Sequence, residues 1–238
     1  MTISNSKITL SPILPCDFPI IARLEAAAFA NEEFGAVAFG PHRFSDAAMA
    51  SRAASLAIGP KPGETLRNVK AVTVGPEGEE IVGFAAWAFC VGRGGSEEEM
   101  RRLGTKEGWV EDENEEDKDP FGPGANVRFC EDAILRGDEH MARSTEGRDY
   151  AKLRVLVVSP KCQRRGIGIT LLEDGLREAD AQGLRAVLGA SPDGIDLYRR
   201  YGFVDFEVMD FKLWEYVGGE GMGVATHVIM HRPAVLIH

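Results

Sequence analysis

One stretch of the chain, residues 152–183, constrains the fold most, because it combines a strand, a glycine turn and a helix. The apolar run Leu153–Val158 is rich in β-branched residues and ends before Pro160, which cannot donate to a sheet ladder. The turn Gln163–Gly168 follows and opens a segment whose apolar residues recur at helical spacing. Gly183 stands where a glycine typically ends a helix. The sequence therefore predicts a β-turn-α unit.

The start of this predicted helix has the chemistry of an anion site. A helix N-terminus leaves backbone N–H groups unpaired and carries partial positive charge. Gly166 and Gly168 allow an anion to approach the backbone closely, and Arg164 and Arg165 add charge. The spacing is neither that of dinucleotide-binding turns nor that of phosphate-binding loops with Gly-Lys-Ser/Thr. An ordinary β-turn-α connection with surface arginines is the alternative interpretation.

The bulk composition favours one domain in a reducing compartment. A chain of 238 residues with 44% hydrophobic residues is typical of a single globular domain. No apolar run reaches membrane-spanning length, and the first residues lack an apolar signal core. The four cysteines are widely separated and lack metal-binding spacing. We therefore expect a protein of the cytoplasm, or of the nucleus, with no membrane partner.

Most of the net charge of −10 comes from one segment, residues 96–120, where acidic residues far outnumber basic ones. This pattern predicts a solvated, partly mobile insertion at about 96–124. Attraction of a cationic acceptor by the same charges is the alternative. The sequence has no basic stripe, so nucleic acid is not an expected partner.

The rest of the chain predicts a mixed sheet with helices on both faces, in a single domain. A helix capped by Asp17 is expected to run to about Asn31, followed by an apolar loop over Phe34–Pro41. His227 and His231 share no helix geometry and have no third ligand, so no metal site is expected. The other predicted elements are a strand at 7–14, a helix from 45 to about 59, a hairpin at 66–74 and 80–91, a helix at about 125–143, and strands at 185–190, 203–216 and 224–230.

Two motifs at a fixed separation give the sequence a family resemblance. Gln163–Gly168 resembles the pyrophosphate signature Gln/Arg-x-x-Gly-x-Gly/Ala of the GNAT superfamily of acyl-CoA-dependent N-acyltransferases. Tyr198–Phe203 matches the Tyr-x-x-x-Gly-Phe element of the same superfamily, one helix and one strand later. The close match covers about 153–206; the first half agrees in element order alone, and the insertion departs from the minimal pattern.

The resemblance implies a fold and a cosubstrate. It implies an α/β fold with a mixed sheet of about seven mostly antiparallel strands, splayed at strands 4 and 5, with helices on both faces. Residues 1–238 would form one acetyltransferase domain, with the extra helix at about 125–143. Acetyl-CoA would be the cosubstrate, without a metal, and an amine would attack its thioester directly. The implied contacts with acetyl-CoA are Leu156, Val157, Val158, Gln163, Arg164, Arg165, Gly166, Ile167, Gly168, Thr170, Ser191 and Tyr198.

The catalytic groups are only partly assigned by this resemblance. Tyr198 is implied as the general acid for the departing thiolate; a tyrosine packed under the sheet, its hydroxyl satisfied by backbone, is the alternative. Many family members carry a glutamate on the fourth strand, and Leu153–Val158 contains no carboxylate. The open candidates for a general base are Glu32, Glu33, Glu131, Glu139 and His140.

The acceptor is expected to be a small primary amine rather than a protein lysine. By resemblance, its walls would be the segments 34–43 and 216–223, which are rich in aromatic residues and glycine. The missing strand carboxylate supports a second hypothesis, a catalytically degenerate acyl-CoA-binding sensor or interaction module. The family also allows a homodimer, which no sequence feature decides.

Overall fold

The computed structural model describes residues 7–75, 78–92 and 121–235; the predicted acidic insertion lies outside them up to residue 120. The strands are β1 Thr9–Pro12, β2 Glu64–Gly75, β3 Gly78–Cys90, β4 Tyr150–Val158, β5 Arg185–Ala190, β6 Val204–Lys212 and β7 Val224–Arg232. The helices are α1 Phe18–Ala28, α2 Glu33–Phe39, α3 Asp46–Leu56, α4 Val127–Cys130, α5 Arg136–Ser144, α6 Ile167–Ala181 and α7 Pro192–Arg200, with a π-helical turn, Glu131–Leu135, joining α4 to α5. In the described ranges, no helix is long and apolar enough to cross a membrane.

The seven strands form one mixed sheet in the order β1-β2-β3-β4-β5-β7-β6. Neighbouring strands are antiparallel except β4 and β5, which run parallel. Their pairing covers only Tyr150–Lys152 with Arg185–Val187. The predicted mixed sheet, splayed between the fourth and fifth strands, is confirmed.

Helix α6 forms the centre of the larger core. Its residues Ile167, Leu171 and Leu172 are almost fully buried and pack against β2 to β5. The spacing of these apolar positions gives the helix one face for the sheet and one for solvent. The chain leaves the helix at Gly183, whose φ of +65° is in the left-handed region where glycine is favoured.

The opposite face of the sheet is covered by α1, α2 and the helices from α4 to α5. The prediction of a loop over Phe34–Pro41 is wrong, because residues Glu33–Phe39 form α2. Glycine and aromatic residues disfavour a helix locally, but Val37 and Ala38 are buried against Phe129 and Cys130. Tertiary packing thus overrides local propensity. The predicted first helix also ends earlier than expected, at Ala28.

A buried ion pair attaches α1 to the sheet. Asp17 does not cap α1 through its side chain; it accepts hydrogen bonds from Lys70 Nζ at 2.6 Å and from the Leu14 backbone N–H at 2.7 Å. Burial acts to raise the pKa of the Asp17 carboxyl, but these two donors and the Lys70 charge lower it overall. The resulting stabilisation is present above the unfolded pKa of about 3.9 and is lost as the pH falls through the lowered folded value.

A close approach between α6 and β3 yields a stability prediction. A Cβ at Gly175 would overlap the buried indole of Trp87. We therefore expect Gly175→Ala to lower the free energy of unfolding by about 1–3 kcal/mol, as overpacking does. Gly35→Ala in α2 is the control, because nothing lies within 4 Å of the added Cβ. It should be neutral or stabilising by up to about 1 kcal/mol. Urea denaturation measures the free energy of unfolding of both variants. Equal free energies of unfolding for Gly175→Ala and Gly35→Ala would contradict the close packing of Gly175 on Trp87.

Candidate functional site

The parting of β4 and β5 opens a cleft through the sheet. After the Lys152–Val187 pair, β5 continues with β7 as its partner while β4 continues with β3. The edge of β4 that faces β5 therefore has no strand beside it from Leu153 onward. A cleft of about 2440 Å³ occupies this gap and reaches both faces of the sheet.

The exposed edge of β4 offers backbone hydrogen-bonding groups to the cleft. The Ser159 N–H donates to the Val82 carbonyl of β3 at 2.9 Å. Because backbone groups point alternately to the two sides of a strand, Val157 also pairs with β3, and Leu156 and Val158 face the gap. The Val158 carbonyl accordingly accepts a hydrogen bond from Gln163 Nε2 at 3.3 Å. Leu156, Val157 and Val158 all line the cleft.

A β-bulge interrupts β4 next to this edge. Val155 pairs with Ala86 and Leu153 with Trp87, so Arg154 is an extra residue without an opposite partner on β3. A bulge disrupts the ladder locally and redirects the backbone groups around it. The strand therefore presents irregular, incompletely paired backbone at the point where the two strands part.

At the far end of β4, the turn places a helix N-terminus at the mouth of the cleft. Gly166 precedes α6 with a φ of +84°, and Arg164 has a φ of +61°, an uncommon conformation for a residue with a side chain. Of the predicted site residues, Gln163, Arg164, Gly166, Ile167 and Gly168 line the cleft.

Two further predicted site residues flank this turn. The side chains of Arg165 and Thr170 are exposed beside it. Thr170 Oγ1 donates to the Gly166 carbonyl at 3.2 Å. The first backbone N–H groups of a 15-residue helix therefore face the cleft, next to arginine side chains.

Tyr198 approaches the cleft from α7. Its side chain is 8% exposed and its ring packs edge-on against Phe203, with 5.8 Å between centroids. Burial raises the pKa of the Tyr198 hydroxyl to about 12, so it stays protonated near neutral pH. Among the described residues, none hydrogen-bonds this hydroxyl. Ser191, which precedes α7, lines the cleft as well.

The opposite side of the cleft has an aromatic wall; Phe34 belongs to the segment 34–43 predicted as an acceptor wall, whereas Phe211 and His227 do not belong to either predicted segment. We call Phe34, Phe211 and His227 the aromatic wall; the Phe34 ring lies 4.4 Å from that of His227 and 5.9 Å from that of Phe211. His227 lies two residues before the buried Ile229 on β7. Because every second side chain of a strand lies on the same face, both face the α4–α5 side of the sheet. That two-residue spacing is the sequence signal that places His227 on the same face as Ile229. From the sequence alone, His227 is assessed only as a metal ligand.

His227 is held as a neutral imidazole. Burial lowers the pKa of its ring below the usual 6.5. Its Nδ1 is buried without a hydrogen-bond partner in the described structure. In the described ranges there is also no group of three or more His, Cys, Asp or Glu residues that could hold a metal ion.

The structure separates the five candidates for a general base. Glu32 and Glu139 line the cleft, whereas Glu33, Glu131 and His140 do not. Glu33 is exposed, and His140 Nδ1 accepts a hydrogen bond from Arg143 of its own helix at 3.0 Å. Burial, and secondly the charge of Asp193, raise the pKa of Glu32 above its ordinary value.

The segment 216–223, expected as an acceptor wall, lies elsewhere. Val217, Gly218 and Met222 line a separate pocket of about 610 Å³ next to α2. The Val217 carbonyl accepts a hydrogen bond from Asn126 Nδ2 at 3.0 Å, which holds the segment against α4. The π-helical turn and α5 border the cleft instead, through Ala133, Ile134, Gly137 and Met141.

Comparisons with known proteins agree with this geometry. Residues 134–211 match the family model described as the acetyltransferase (GNAT) domain. That range contains the parted strands, the turn and Tyr198. The predicted resemblance to the GNAT superfamily is therefore confirmed over residues 134–211. The expected N-acetyltransferase class of enzyme is thereby confirmed, although no curated protein sequence matches the chain.

Solved structures share the GNAT fold over nearly the whole chain. A histone acetyltransferase HPA2-related protein from Corynebacterium glutamicum is 19% identical, with a TM-score of 0.55, over 97% of this chain and 98% of that one. The ribosomal-protein-S18-alanine N-acetyltransferase from Escherichia coli is 16% identical, with a TM-score of 0.52, over 98% and 97%. A phosphinothricin acetyltransferase from Sinorhizobium meliloti, solved with AcCoA, is 17% identical, with a TM-score of 0.50, over 95% and 88%.

The burial of His227 leads to a prediction for the titration of its imidazole. We expect NMR to find its pKa below 6.5, and Phe34→Ala to move it back toward that value because water reaches the ring. Phe44→Ala is the control, since the exposed Phe44 ring lies 4.4 Å from the Arg43 guanidinium instead. Because the folded pKa is lowered, His227 destabilises the fold as the pH falls below about 6.5. An unshifted pKa in the wild type would contradict its burial.

Proposed function

We propose that this protein transfers the acetyl group of acetyl-CoA to a primary amine of a small molecule, by direct attack of the amine on the thioester. One observation carries the proposal. The unpaired edge of β4 is followed, after one turn, by the N-terminus of α6. A ligand with an amide-containing arm and a pyrophosphate could use both features at once, and acetyl-CoA is such a ligand.

The residues of the cleft fit this cosubstrate. The backbone groups of Leu156 and the N–H of Val158, which no neighbouring strand pairs, are of the kind that a pantetheine arm, with its own amide groups, would complete. The N–H groups at the start of α6 and the side chain of Arg164 supply positive potential for a pyrophosphate. Gly166, at a φ of +84°, lets an anion approach where a side chain would be strained.

The proposed chemistry requires positioning, polarisation and a proton donor. Holding the amine and thioester in attack geometry is the largest contribution we assign to the enzyme. A backbone N–H near the bulge at Arg154 would polarise the thioester carbonyl. Tyr198, protonated and unpartnered among the described residues, would give its proton to the departing sulfur.

A small acceptor is supported by the apolar lining of the opposite side. Between the sheet and the α4–α5 helices, the cleft is bordered by Phe34, Ile134, Met209 and Ile229. These side chains come from four elements, namely α2, the π-helical turn, β6 and β7. Their apolar character favours a compact amine over the polar backbone of a peptide that carries a lysine.

Loss of cosubstrate binding tests the proposed pyrophosphate site. We expect Gly166→Glu to abolish acetyl-CoA binding in calorimetry, because it adds a negative charge at the helix N-terminus. Gly221→Glu is the matched control: its φ of +81° imposes the same backbone strain, with nothing within 4 Å of the added Cβ. The control should keep wild-type affinity. Failure of the folded wild type to bind acetyl-CoA would refute the proposal.

The role of Tyr198 separates an enzyme from a binding module. We expect Tyr198→Phe to keep acetyl-CoA affinity and to lower turnover by about 10²–10⁴-fold, the usual contribution of acid–base catalysis. Thiol release against a panel of amines measures the rate. Phe203→Leu serves as a packing control, because it alters the ring contact with Tyr198 and leaves the hydroxyl in place. Acetyl-CoA binding without turnover of any amine would favour the sensor hypothesis.

A further inference from the structure

We infer that the ion pair between Lys152 and Asp138 joins the two sides of the parted sheet and sets the spacing of β4 and β5 where the gap begins. Both are positioning residues, which act on the reaction through the strand and the helix that they hold together. The effect on the gap follows from the contacts of the fold. The effect on the reaction rests on the proposed function.

Lys152 lies at the point where β4 and β5 stop pairing. It pairs with Val187 of β5, and beyond this pair the two strands have no further pairing. Lys152 Nζ donates a hydrogen bond to Asp138 Oδ1 of α5 at 2.6 Å, and the two side chains form an ion pair. The contact between strand and helix is therefore made immediately before the gap opens.

On the face opposite α6, different helices cover the two sides of the gap. Helix α1 packs on β3 and β4, whereas α5 packs on β5, β6 and β7. Lys152 belongs to the first side and Asp138 to the second. Their ion pair is thus a contact across the gap. On the other face, α6 packs on both β4 and β5 and bridges them by itself.

Two further contacts hold α5 to the side of β5, β6 and β7. Arg185, at the start of β5, donates to the Ser144 carbonyl at the end of α5. His140 Nδ1 lies 3.8 Å from Glu207 Oε2 of β6. Neither contact involves β4. Loss of the Asp138 charge should therefore release α5 from β4 while the helix stays attached to its own side.

The spacing of the gap matters because its two sides supply different parts of the proposed site. The unpaired edge, with Leu156 and Val158, belongs to β4. The wall on the other side includes Ile134, Gly137 and Met141, from the π-helical turn and α5. A wider gap would separate groups that the reaction must bring together, and a misplacement of about 1 Å can lower a rate by about 10²-fold.

The exposure of the pair allows this role to be separated from folding. The side chains of Lys152 and Asp138 are 23% and 46% exposed. Ion pairs that water reaches contribute little to stability, because solvent screens them. We therefore expect variants of either residue to fold, so that a change in rate reports on the cleft.

Rates of thiol release from acetyl-CoA test the effect on the reaction, with methylamine, 2-phenylethylamine and spermidine as acceptors. For the amine that the wild type acetylates fastest, Asp138→Asn should lower kcat/KM by about tenfold or more, through lost positioning. Calorimetry should find that its CoA affinity changes by less than about threefold, since the turn proposed for the pyrophosphate lies at the far end of β4. Lys152→Met should behave alike, and the double variant should be no slower than either single one, because all three lose the same contact.

A second helix–strand ion pair, outside the cleft, supplies the matched control. Asp174 of α6 accepts hydrogen bonds from Arg67 of β2 at 2.9 and 3.0 Å, and neither residue lines the cleft. Asp174→Asn should keep the wild-type rate. Lys152→Arg, which keeps the charge, should keep most of it. A rate lowered by Lys152→Met and not by Asp138→Asn would overturn the inference, because Lys152 would then act without its partner. Wild-type rates in both variants would overturn it as well.

Hydrogen exchange of the full chain without ligand tests the contact independently of the reaction. Lys152→Met leaves the sequence of α5 unchanged, so faster exchange of amides 137–142 would report the lost contact with β4. We expect their exchange to quicken by about threefold or more, and Arg67→Met to leave it unchanged. Unchanged exchange in Lys152→Met would overturn the inference. If the folded wild type acetylates none of the amines, the proposed function fails, and the exchange of α5 alone decides whether the pair joins the two sides.

Discussion

The site depends on the loss of pairing between two parallel strands. β4 and β5 share only three residue pairs before each keeps a different partner, β3 on one side and β7 on the other. A sheet that stayed paired would satisfy these backbone groups internally and leave no opening. Because backbone donors and acceptors need partners, the unpaired edge of β4 has groups that a bound ligand could pair with.

The contacts around the parting strands hold their positions. On one face, α6 packs so closely on β3 that Gly83 and Gly175 have no room for a side chain. At the start of β5, the buried Arg185 donates to the Ser144 carbonyl and so attaches the end of α5 to the sheet. These contacts hold β3 against α6 and the start of β5 against the end of α5.

The two ends of the cleft differ in charge and polarity. The mouth at α6 has a helix N-terminus, a left-handed glycine and Arg164, all favourable for an anion. The other side has the carboxylates of Glu32 and Asp193 and the aromatic wall. In the described structure, the gap between β4 and β5 belongs to the same cleft as both sides.

The sequence by itself determined the β-turn-α unit, the mixed sheet and the residues of the turn, because strand ends, glycine turns and helix periodicity are local signals. It could not determine α2, whose helix depends on burial of Val37 and Ala38 against a distant segment. Nor could it rank the five candidate bases or find His227. Proximity of Glu32 to Asp193, and of Phe34 to His227, joins residues more than 150 positions apart, and only the tertiary structure brings such residues together.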